Sequence, residues 1–367
     1  MAQGGVTFPA SHPVDARRGA ARLAALLAGV VSALMSPLMG PAVHACTRAL
    51  SNVEGQAVVV SRTMDWPEST QPELYVFPRG LARDGARLGA DEIDANGAKW
   101  TSKYGSMATS VYGLGSADGF NEAGLGAHLL FLTATDFGPR EAARPALHAG
   151  LWAQYVLDLA GSVGEAIELL KDVQIVKVAA HGREATVHLV LEDKSGDSAV
   201  VEFIDGKPVV HHGRGVRVVT NDPPYDQQLK LLEKLDVSQP SSFTPLPGNV
   251  NPVDRFQRAS YFLDLLPKPK DERAAIAGIM AIARNASVPF GAPYRDFGIY
   301  NTEYRTAINL TALRYYFELA DSPNLFWADL RKFDLAPGSG VMVLDPDDIE
   351  LSGDVSAKFV KAERAPY

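Results

Sequence analysis

The chain contains a single cysteine, Cys46, and this limits how the fold can be held together. One cysteine cannot form an internal disulfide, so the protein must rely on a hydrophobic core. The sequence that follows Cys46 is long enough to bury a large one. In an exported protein, an unpaired cysteine indicates either an intermolecular bridge or a functional thiol.

The segment before Cys46 has the layout of a secretory signal peptide. Three arginines between Arg17 and Arg22 form a basic start, an apolar run covers Leu23–Met35, and Ala45 supplies a small residue at the cleavage point. The apolar run is shorter than the roughly 20 residues that a membrane span needs. We therefore expect cleavage after Ala45 and a periplasmic or secreted mature protein.

The mature chain, residues 46–367, is expected to form a single domain with an acidic surface. It carries 32 basic and 42 acidic side chains, a net charge of −10. This balance argues against nucleic acid and anionic lipid as partners. His211 and His212 form the only pair of adjacent histidines, and no second group of ligands stands at a spacing typical of zinc. We expect no metal site.

Hydrophobic patterning predicts an α+β fold. Strand-like runs rich in β-branched and aromatic residues cover Gln56–Arg62, Thr109–Tyr112, Thr186–Leu191, Ala199–Ile204, Val216–Thr220, Tyr304–Leu310, Tyr315–Leu319 and Leu325–Asp329. Helical periodicity covers Arg144–Leu159, Val163–Leu170, Asp254–Leu266 and Asp271–Asn285, with Ser162 and Asp254 as candidate caps. Short turns between strands indicate antiparallel pairing. Two antiparallel sheets packed together with helices outside fit this order.

As the first residue of a mature chain, Cys46 would carry two useful groups. Its thiol has an ordinary pKa near 8.5, and a free α-amine has one of about 7.7 to 8.0. The amine is partly neutral at pH 7, so it can act as a general base toward its own side chain. The thiolate is the reactive form and is favoured by a nearby cation.

The sequence after Cys46 predicts a hairpin that supplies this cation. A strand beginning near Ala57 pairs Cys46 with a residue near Ser61, which places Arg62 beside the thiol and Asp65 near the amine. Other interpretations remain. Cys46 could be a buried small hydrophobe, and Arg62 with Asp65 an ordinary ion pair. Cys46 could also be a lipoprotein cysteine, although His44 stands where a small residue is expected.

The pattern of Cys46, Arg62 and Asp65-Trp66 resembles the choloylglycine hydrolase family, which contains bile salt hydrolases and penicillin V acylases. Three later blocks are similar to the family in the same order: "GFNEAGLGAHLLF" at Gly119–Phe131, "VVTNDPPYD" at Val218–Asp226 and "LPGNVNPVDRF" at Leu246–Phe256. The resemblance implies a four-layer αββα sandwich of the N-terminal nucleophile hydrolase type. It also implies that Cys46, Arg62 and Asp65 are catalytic.

The later blocks supply further candidate residues through the resemblance. Asn221 would offer a side-chain donor to an oxyanion, a backbone N–H near Phe131 would be the second donor, and Arg255 would support the charge. Arg258 is the less favoured alternative to Arg255. The bile salt hydrolases have an asparagine where this chain has Phe131. That departure keeps the backbone donor and changes the wall of the pocket.

Three residues are candidates for substrate binding: Trp66, Phe131 and His128. Aromatic side chains suit an apolar acyl group. His128 lies in an apolar strand-like run, so it is either a satisfied core histidine or a pocket residue. The mechanism does not require it as a base.

The sequence thus predicts a cofactor-free hydrolase of linear, non-peptide amides. Its resemblance to the exported, Gram-negative branch of the family implies penicillin V or acyl-homoserine lactones as substrates, with conjugated bile salts as the alternative. Family members often form homotetramers. The alternative that is not an enzyme is a lipid-anchored periplasmic binding protein.

Overall fold

The structure is a computed structural model that describes residues 45–293, 300–322 and 324–367. The predicted signal peptide and its cleavage point lie outside these residues, apart from Ala45 at the boundary. All the described residues belong to one compact unit. Within them, no helix has both the length and the apolar character needed to cross a membrane.

Two large sheets dominate the described part of the chain. The first has seven strands in the spatial order β18-β1-β2-β19-β20-β21-β23. Its neighbouring strands run antiparallel except for the parallel pair β21 and β23. The strand bounds are β1 Ala45–Ser51, β2 Val59–Trp66, β18 Val218–Val219, β19 Asn301–Asn309, β20 Arg314–Leu319, β21 Phe326–Asp329 and β23 Gly353–Asp354.

The second sheet has nine strands in the described residues, in the order β17-β16-β15-β10-β9-β8-β3-β22-β24, all antiparallel. Its strands are β3 Leu74–Phe77, β8 Ser106–Val111, β9 Gly115–Asn121, β10 Leu125–Phe131, β15 Val187–Asp193, β16 Ser198–Ile204, β17 Lys207–His212, β22 Met342–Leu344 and β24 Val360–Lys361. The pair His211 and His212 therefore ends a strand.

The described residues also form four short two-stranded ribbons. They pair β4 Ala82–Asp84 with β7 Lys99–Thr101, β5 Arg87–Leu88 with β6 Asp91–Glu92, β11 Ala146–His148 with β12 Gln174–Val176, and β13 Ala179–Ala180 with β14 Arg183–Glu184. The β13–β14 hairpin is important for the site described below.

Helices cover the outer faces of the two sheets, which makes the αββα arrangement. The helices are α1 Trp152–Leu159, α2 Val163–Leu169, α3 Tyr225–Leu232, α4 Pro252–Asp264 and α5 Glu272–Ala286. Helices α4 and α5 contact β1 and β2 of the first sheet, whereas α1 contacts β9 and β10 of the second. The predicted α+β sandwich of two antiparallel sheets with flanking helices is confirmed.

Two predictions about helices need correction. The predicted helix Arg144–Leu159 is helical only from Trp152, because Ala146–His148 forms a parallel strand pair with β12 and a 3₁₀ turn follows. Helix α4 is capped by Asn251, whose side chain accepts from the Asp254 N–H, so Asp254 lies in the first turn. Ser162 caps α2 as predicted.

The predicted register of the first hairpin is also wrong, by three residues. Cys46 pairs with Met64 rather than with a residue near Ser61, because the turn continues past Gly55 and β2 begins at Val59. A shift by an odd number of residues moves side chains to the opposite face of a sheet. The observed register puts Cys46 and Arg62 on the same face, directed toward the second sheet.

Candidate active site

Cys46 lies on β1, the second strand from one edge of the first sheet, and faces the space between the two sheets. It is 2% exposed, and its thiol lines a narrow internal cavity. Met64 on β2 is its direct neighbour, and Tyr304 on β19 lies beyond Met64 in the same row. The thiol is therefore held on a strand that pairs with β2 along its whole length.

Arg62 is the cation closest to the thiol. Its Nη2 lies 3.6 Å from the Cys46 Sγ, and the guanidinium is fixed by donation to the backbone carbonyls of Ala117 (2.8 Å) and Leu129 (3.0 Å). Asp118 completes the contacts at 3.6 Å. Because Arg62 is almost fully buried, it places an unscreened positive charge beside Cys46.

Asp65 lies at the end of β2, opposite Ala45, and thus beside the peptide bond that precedes Cys46. Its carboxylate accepts from the Thr302 hydroxyl (2.5 Å) and the Thr63 hydroxyl (3.1 Å), and Arg255 lies 3.6 Å away. Burial raises the pKa of the Asp65 carboxyl, and Arg255 and the two hydroxyls act in the opposite direction.

Asn221 and Arg255 meet at the main chain of Cys46. The Asn221 Oδ1 accepts the Cys46 backbone N–H (2.5 Å) and also accepts from Arg255 Nη2 (2.9 Å). Arg255 Nη1 donates to the Cys46 carbonyl oxygen (2.7 Å) and to the Thr47 hydroxyl. All these side chains are buried, so the backbone of the cysteine is fixed from two elements distant in sequence.

The end of β10 presents backbone polar groups to the same place. The Leu132 N–H donates to the carbonyl oxygen of Thr186, the residue just before β15, so Phe131 directs its own N–H and carbonyl away from β15. The Phe131 carbonyl accepts one proton of the Asn221 Nδ2 (2.7 Å). The Phe131 N–H and the second proton of the Asn221 Nδ2 therefore lie on the same side of the site.

An apolar cavity of about 120 Å³ lies in front of the thiol. Trp66 and Phe131 form part of its wall, with their rings edge to face at a centroid distance of 6.3 Å. The hairpin β13–β14 covers it, and Ala180, Arg183 and Glu184 of that hairpin belong to the lining. The cavity also includes Arg62, Met64, Val111, Leu129, Val178 and Val187.

The structure brings together seven of the eight residues selected from the sequence. Cys46, Arg62, Asp65, Asn221 and Arg255 surround one point, and Trp66 and Phe131 line the adjoining cavity. His128 was a candidate either for the core or for the pocket, and the structure places it in the core. It is 0% exposed and does not belong to the described lining of the cavity, because its ring is enclosed between Asp118 and Glu192.

Sequence reasoning missed several residues that complete the site. Thr302 holds Asp65, Tyr112 accepts the Trp66 indole N–H (2.7 Å), and Arg183 lies over the Trp66 ring at 5.9 Å. These residues are scattered along the chain and have no shared spacing, so only the tertiary fold brings them near Cys46. No group of three or more His, Cys, Asp or Glu side chains that could hold a metal occurs in the described ranges.

A chain with this sandwich and a buried cysteine beside an arginine matches one family of amidases. Residues 46–350 match the linear amide C–N hydrolases of the choloylglycine hydrolase family, and the chain belongs to that family. It is therefore a hydrolase acting on carbon–nitrogen bonds other than peptide bonds in linear amides.

The relatives include enzymes of two kinds. The chain is 38% identical to the penicillin V acylase of Pectobacterium atrosepticum over 349 residues, which is 87% of this chain and 91% of that protein. A solved penicillin V acylase from Agrobacterium tumefaciens is 39% identical, with a TM-score of 0.77 over 87% of this chain and 98% of that one. A mutant of the conjugated bile acid hydrolase from Clostridium perfringens is 21% identical, with a TM-score of 0.70 over 84% and 98%; this likeness shows the fold alone.

Proposed function

We propose that this chain is an acylase whose mature form begins at Cys46 and which works through that cysteine. One observation carries the proposal: the thiol and the backbone nitrogen of the same residue lie in one buried site with separate partners. Arg62 contacts the thiol, and Asn221 accepts from the nitrogen. Removal of residues 1–45 converts this nitrogen into an amine that can serve as the base.

The reaction proceeds in two halves. The α-amine takes the thiol proton, and the Cys46 Sγ forms a bond to the amide carbon. The carbon–nitrogen bond then breaks, and the ammonium returns its proton to the leaving amine. Water adds to the thioester, which releases the carboxylic acid and restores the thiol. Arg62 favours the thiolate and Asp65 orients the amine.

The negative charge on the substrate oxygen needs preorganised donors. The Asn221 Nδ2 and the Phe131 N–H face the same edge of the site and would supply them. Arg255 holds Asn221 through its Oδ1 and adds positive charge behind it. This arrangement stabilises the tetrahedral intermediates of both halves of the reaction.

The preferred substrate is phenoxymethylpenicillin or an acyl-homoserine lactone. Both have an apolar acyl group, and the cavity in front of Cys46 has aromatic and aliphatic walls. Its volume of about 120 Å³ is smaller than the roughly 300–1,000 Å³ of typical ligand pockets. A phenoxyacetyl group suits this space better than a steroid. The similarity to two penicillin V acylases supports the same choice.

Export belongs to the proposal as well. The mature protein is periplasmic or secreted, and cleavage after Ala45 exposes the amine. A homotetramer is the proposed assembly. If the protein were instead a lipid-anchored binding protein, the intact mass would include acyl chains on Cys46. An unmodified chain starting at Cys46 supports the enzyme.

Two variants test the nucleophile. Cys46→Ala removes the thiol, and one extra residue before Cys46 blocks the amine; each is expected to abolish hydrolysis of phenoxymethylpenicillin. Hydrolysis rates of the two variants and of the mature protein are measured on matched samples, with circular dichroism to check folding. Turnover that survives either change contradicts the mechanism.

The substrate is tested by measuring kcat/KM for phenoxymethylpenicillin, an acyl-homoserine lactone and glycocholate. We expect the first two to exceed glycocholate. A preference for glycocholate would assign the chain to bile salts, which would require the cavity to widen around Trp66 and Phe131.

A further inference from the structure

Five ionisable side chains form a continuous row between the two sheets, with Cys46 at one end. Arg62 lies 3.6 Å from Asp118, Asp118 lies 3.7 Å from His128, and His128 lies 2.8 Å from Glu192. Glu192 accepts from Arg48, and all five are at most 1% exposed. Removing charges from water costs free energy even when they are paired, and clusters of buried ionisable groups are common at functional sites. We therefore asked what this row could do for Cys46.

His128 is the member whose charge can change. Its Nε2 hydrogen-bonds Glu192 Oε1, so this nitrogen carries a proton. Its Nδ1 faces Asp118 Oδ2 at 3.7 Å and has no hydrogen bond within the described residues. A neutral ring would direct a lone pair at that carboxylate, whereas an imidazolium directs a proton at it.

The groups around the row favour the charged ring. Asp118 is kept as an acceptor by the Thr306 hydroxyl (2.7 Å) and the Tyr315 hydroxyl (3.0 Å). Glu192 is held by Arg48 from the opposite sheet. Burial alone lowers the pKa of His128, but Glu192 and Asp118 outweigh burial and raise that pKa above its ordinary value.

The other nearby histidine on this face has different partners. His188 on β15 lies opposite Leu130 and hydrogen-bonds Glu202 and the Thr220 carbonyl oxygen. Within the described residues, its hydrogen-bond partners do not include Asp118 or Glu192.

The signs of the charges alternate along the row. With His128 protonated, Arg48, Glu192, His128, Asp118 and Arg62 sum to +1, and the Cys46 thiolate brings the total to zero. With His128 neutral, the same row sums to zero, and the thiolate gives the row a net charge of −1, with only the α-ammonium that has taken its proton to balance it. A low local dielectric makes that difference large.

We propose that His128 is a positioning residue that stays an imidazolium and favours the Cys46 thiolate through Asp118 and Arg62. Asp118 transmits the effect because its carboxylate lies between the imidazolium and the guanidinium. No proton moves along the row. The inference rests on the proposed function, since it assigns the thiolate as the reactive form, but its test does not need amide turnover.

The expected size follows from Coulomb's law. At an effective dielectric of about 20, removing a unit charge on the order of 10 Å away shifts a pKa by about one unit. His128→Gln removes the charge and keeps an amide N–H for Glu192. We expect the pH of half-maximal thiol reactivity to rise by about one unit, with kcat/KM near pH 6.5 falling about tenfold.

The decisive experiment is alkylation of mature protein by iodoacetamide as a function of pH. Cys46 is the only cysteine, so the rate reports this thiol alone. His212→Gln is the matched control, because His212 is half-exposed and pairs with Asp197 at 2.7 Å on the edge of the second sheet. An upward shift in H128Q and none in H212Q supports the proposal. An unchanged profile in H128Q overturns it, even if stability falls.

A second measurement keeps all five side chains of the row and so does not depend on whether H128Q folds. In ¹⁵N-histidine-labelled Cys46→Ala protein, nitrogen chemical shifts distinguish imidazolium from neutral ring. We expect His128 to have both nitrogens protonated at pH 7.5, and a neutral ring there overturns the proposal. Failure of amide hydrolysis with a normal His128 signal would instead reject the proposed function.

Discussion

At the scale of single residues, Asn221 connects more parts of the candidate site than its size suggests. One side chain contacts the Cys46 N–H, Arg255 and the Phe131 carbonyl, and so joins three distant parts of the chain. Its Nδ2 is the only side-chain donor proposed for the oxyanion. An alanine at this position would lose all three contacts.

Asn221→Ala is therefore expected to lower kcat by about 10²–10³-fold with a small change in KM, since a donor used mainly in the transition state is removed. Steady-state kinetics on phenoxymethylpenicillin measure both constants. Asn52→Ala is the control: Asn52 is also buried and donates to the carbonyls of Gly196 and Arg214, far from the thiol. A loss of kcat shared equally by both variants would contradict the assignment.

At the scale of elements, the β1–β2 hairpin decides whether Arg62 can reach the thiol. The sequence predicts two strands and a turn, but the turn length sets the register, and an odd error exchanges the faces. A strict pairing of Cys46 with Ser61 would direct Arg62 to the opposite face of the sheet, so the predicted contact of Arg62 with the thiol did not follow from that register. The observed pairing of Cys46 with Met64 places the Arg62 guanidinium beside the Cys46 Sγ.

The β13–β14 hairpin covers the apolar cavity in front of the Cys46 thiol. Arg183 anchors it to the rest of the molecule through Glu68 at 3.4 Å and the Trp66 ring. His181 in its turn stacks on Tyr112 at a centroid distance of 4.1 Å. These are few and partly exposed contacts, so the hairpin is held more weakly than the sheets.

Arg183→Ala is expected to raise KM for phenoxymethylpenicillin about fivefold with kcat unchanged. The lost ion pair and cation–π contact together stabilise the closed cavity by about 1 kcal/mol. Lys177→Ala is the control, since Lys177 pairs with Glu184 at 3.1 Å on the same hairpin but lies outside the described cavity lining. A fall in kcat without a change in KM would contradict this role.

At the scale of the whole molecule, the buried His148 links stability to pH. It is 0% exposed, and its Nε2 contacts the Arg87 carbonyl oxygen (2.9 Å). Burial lowers the pKa of His148 to about 4, against about 6.5 in an unfolded chain. Between these values the unfolded chain binds more protons, so the free energy of unfolding decreases as the pH falls.

His148→Gln is expected to remove this part of the acid sensitivity, which amounts to about 3 kcal/mol between pH 6.5 and pH 4. Glutamine keeps a donor for Arg87 and cannot be protonated. Urea unfolding of both proteins at pH 7 and pH 4.5 measures the difference. If the variant loses as much stability as the parent over this range, another group is responsible.

From the sequence by itself, the resemblance of four blocks to one family implied the αββα class and the candidate residues Cys46, Arg62, Asp65, Asn221 and Arg255; the family and the fold class are confirmed. Strand and helix periods and turn residues separately predicted an α+β fold with antiparallel sheets and flanking helices. The same information named Trp66 and Phe131 as aromatic residues near the site. Such signals survive without tertiary contacts, because each depends on neighbours in the chain.

Only the tertiary structure decided the register of the first hairpin, the true start of α1 and the position of His128. Each depends on what packs against it from far along the chain. His128 lies in an apolar run that is compatible with either the core or a pocket. Asp118 and Glu192 on the neighbouring strands enclose its ring and so place it in the core. Burial and charge pairing between distant strands are properties of the assembled sheets, and one-dimensional patterns do not contain them.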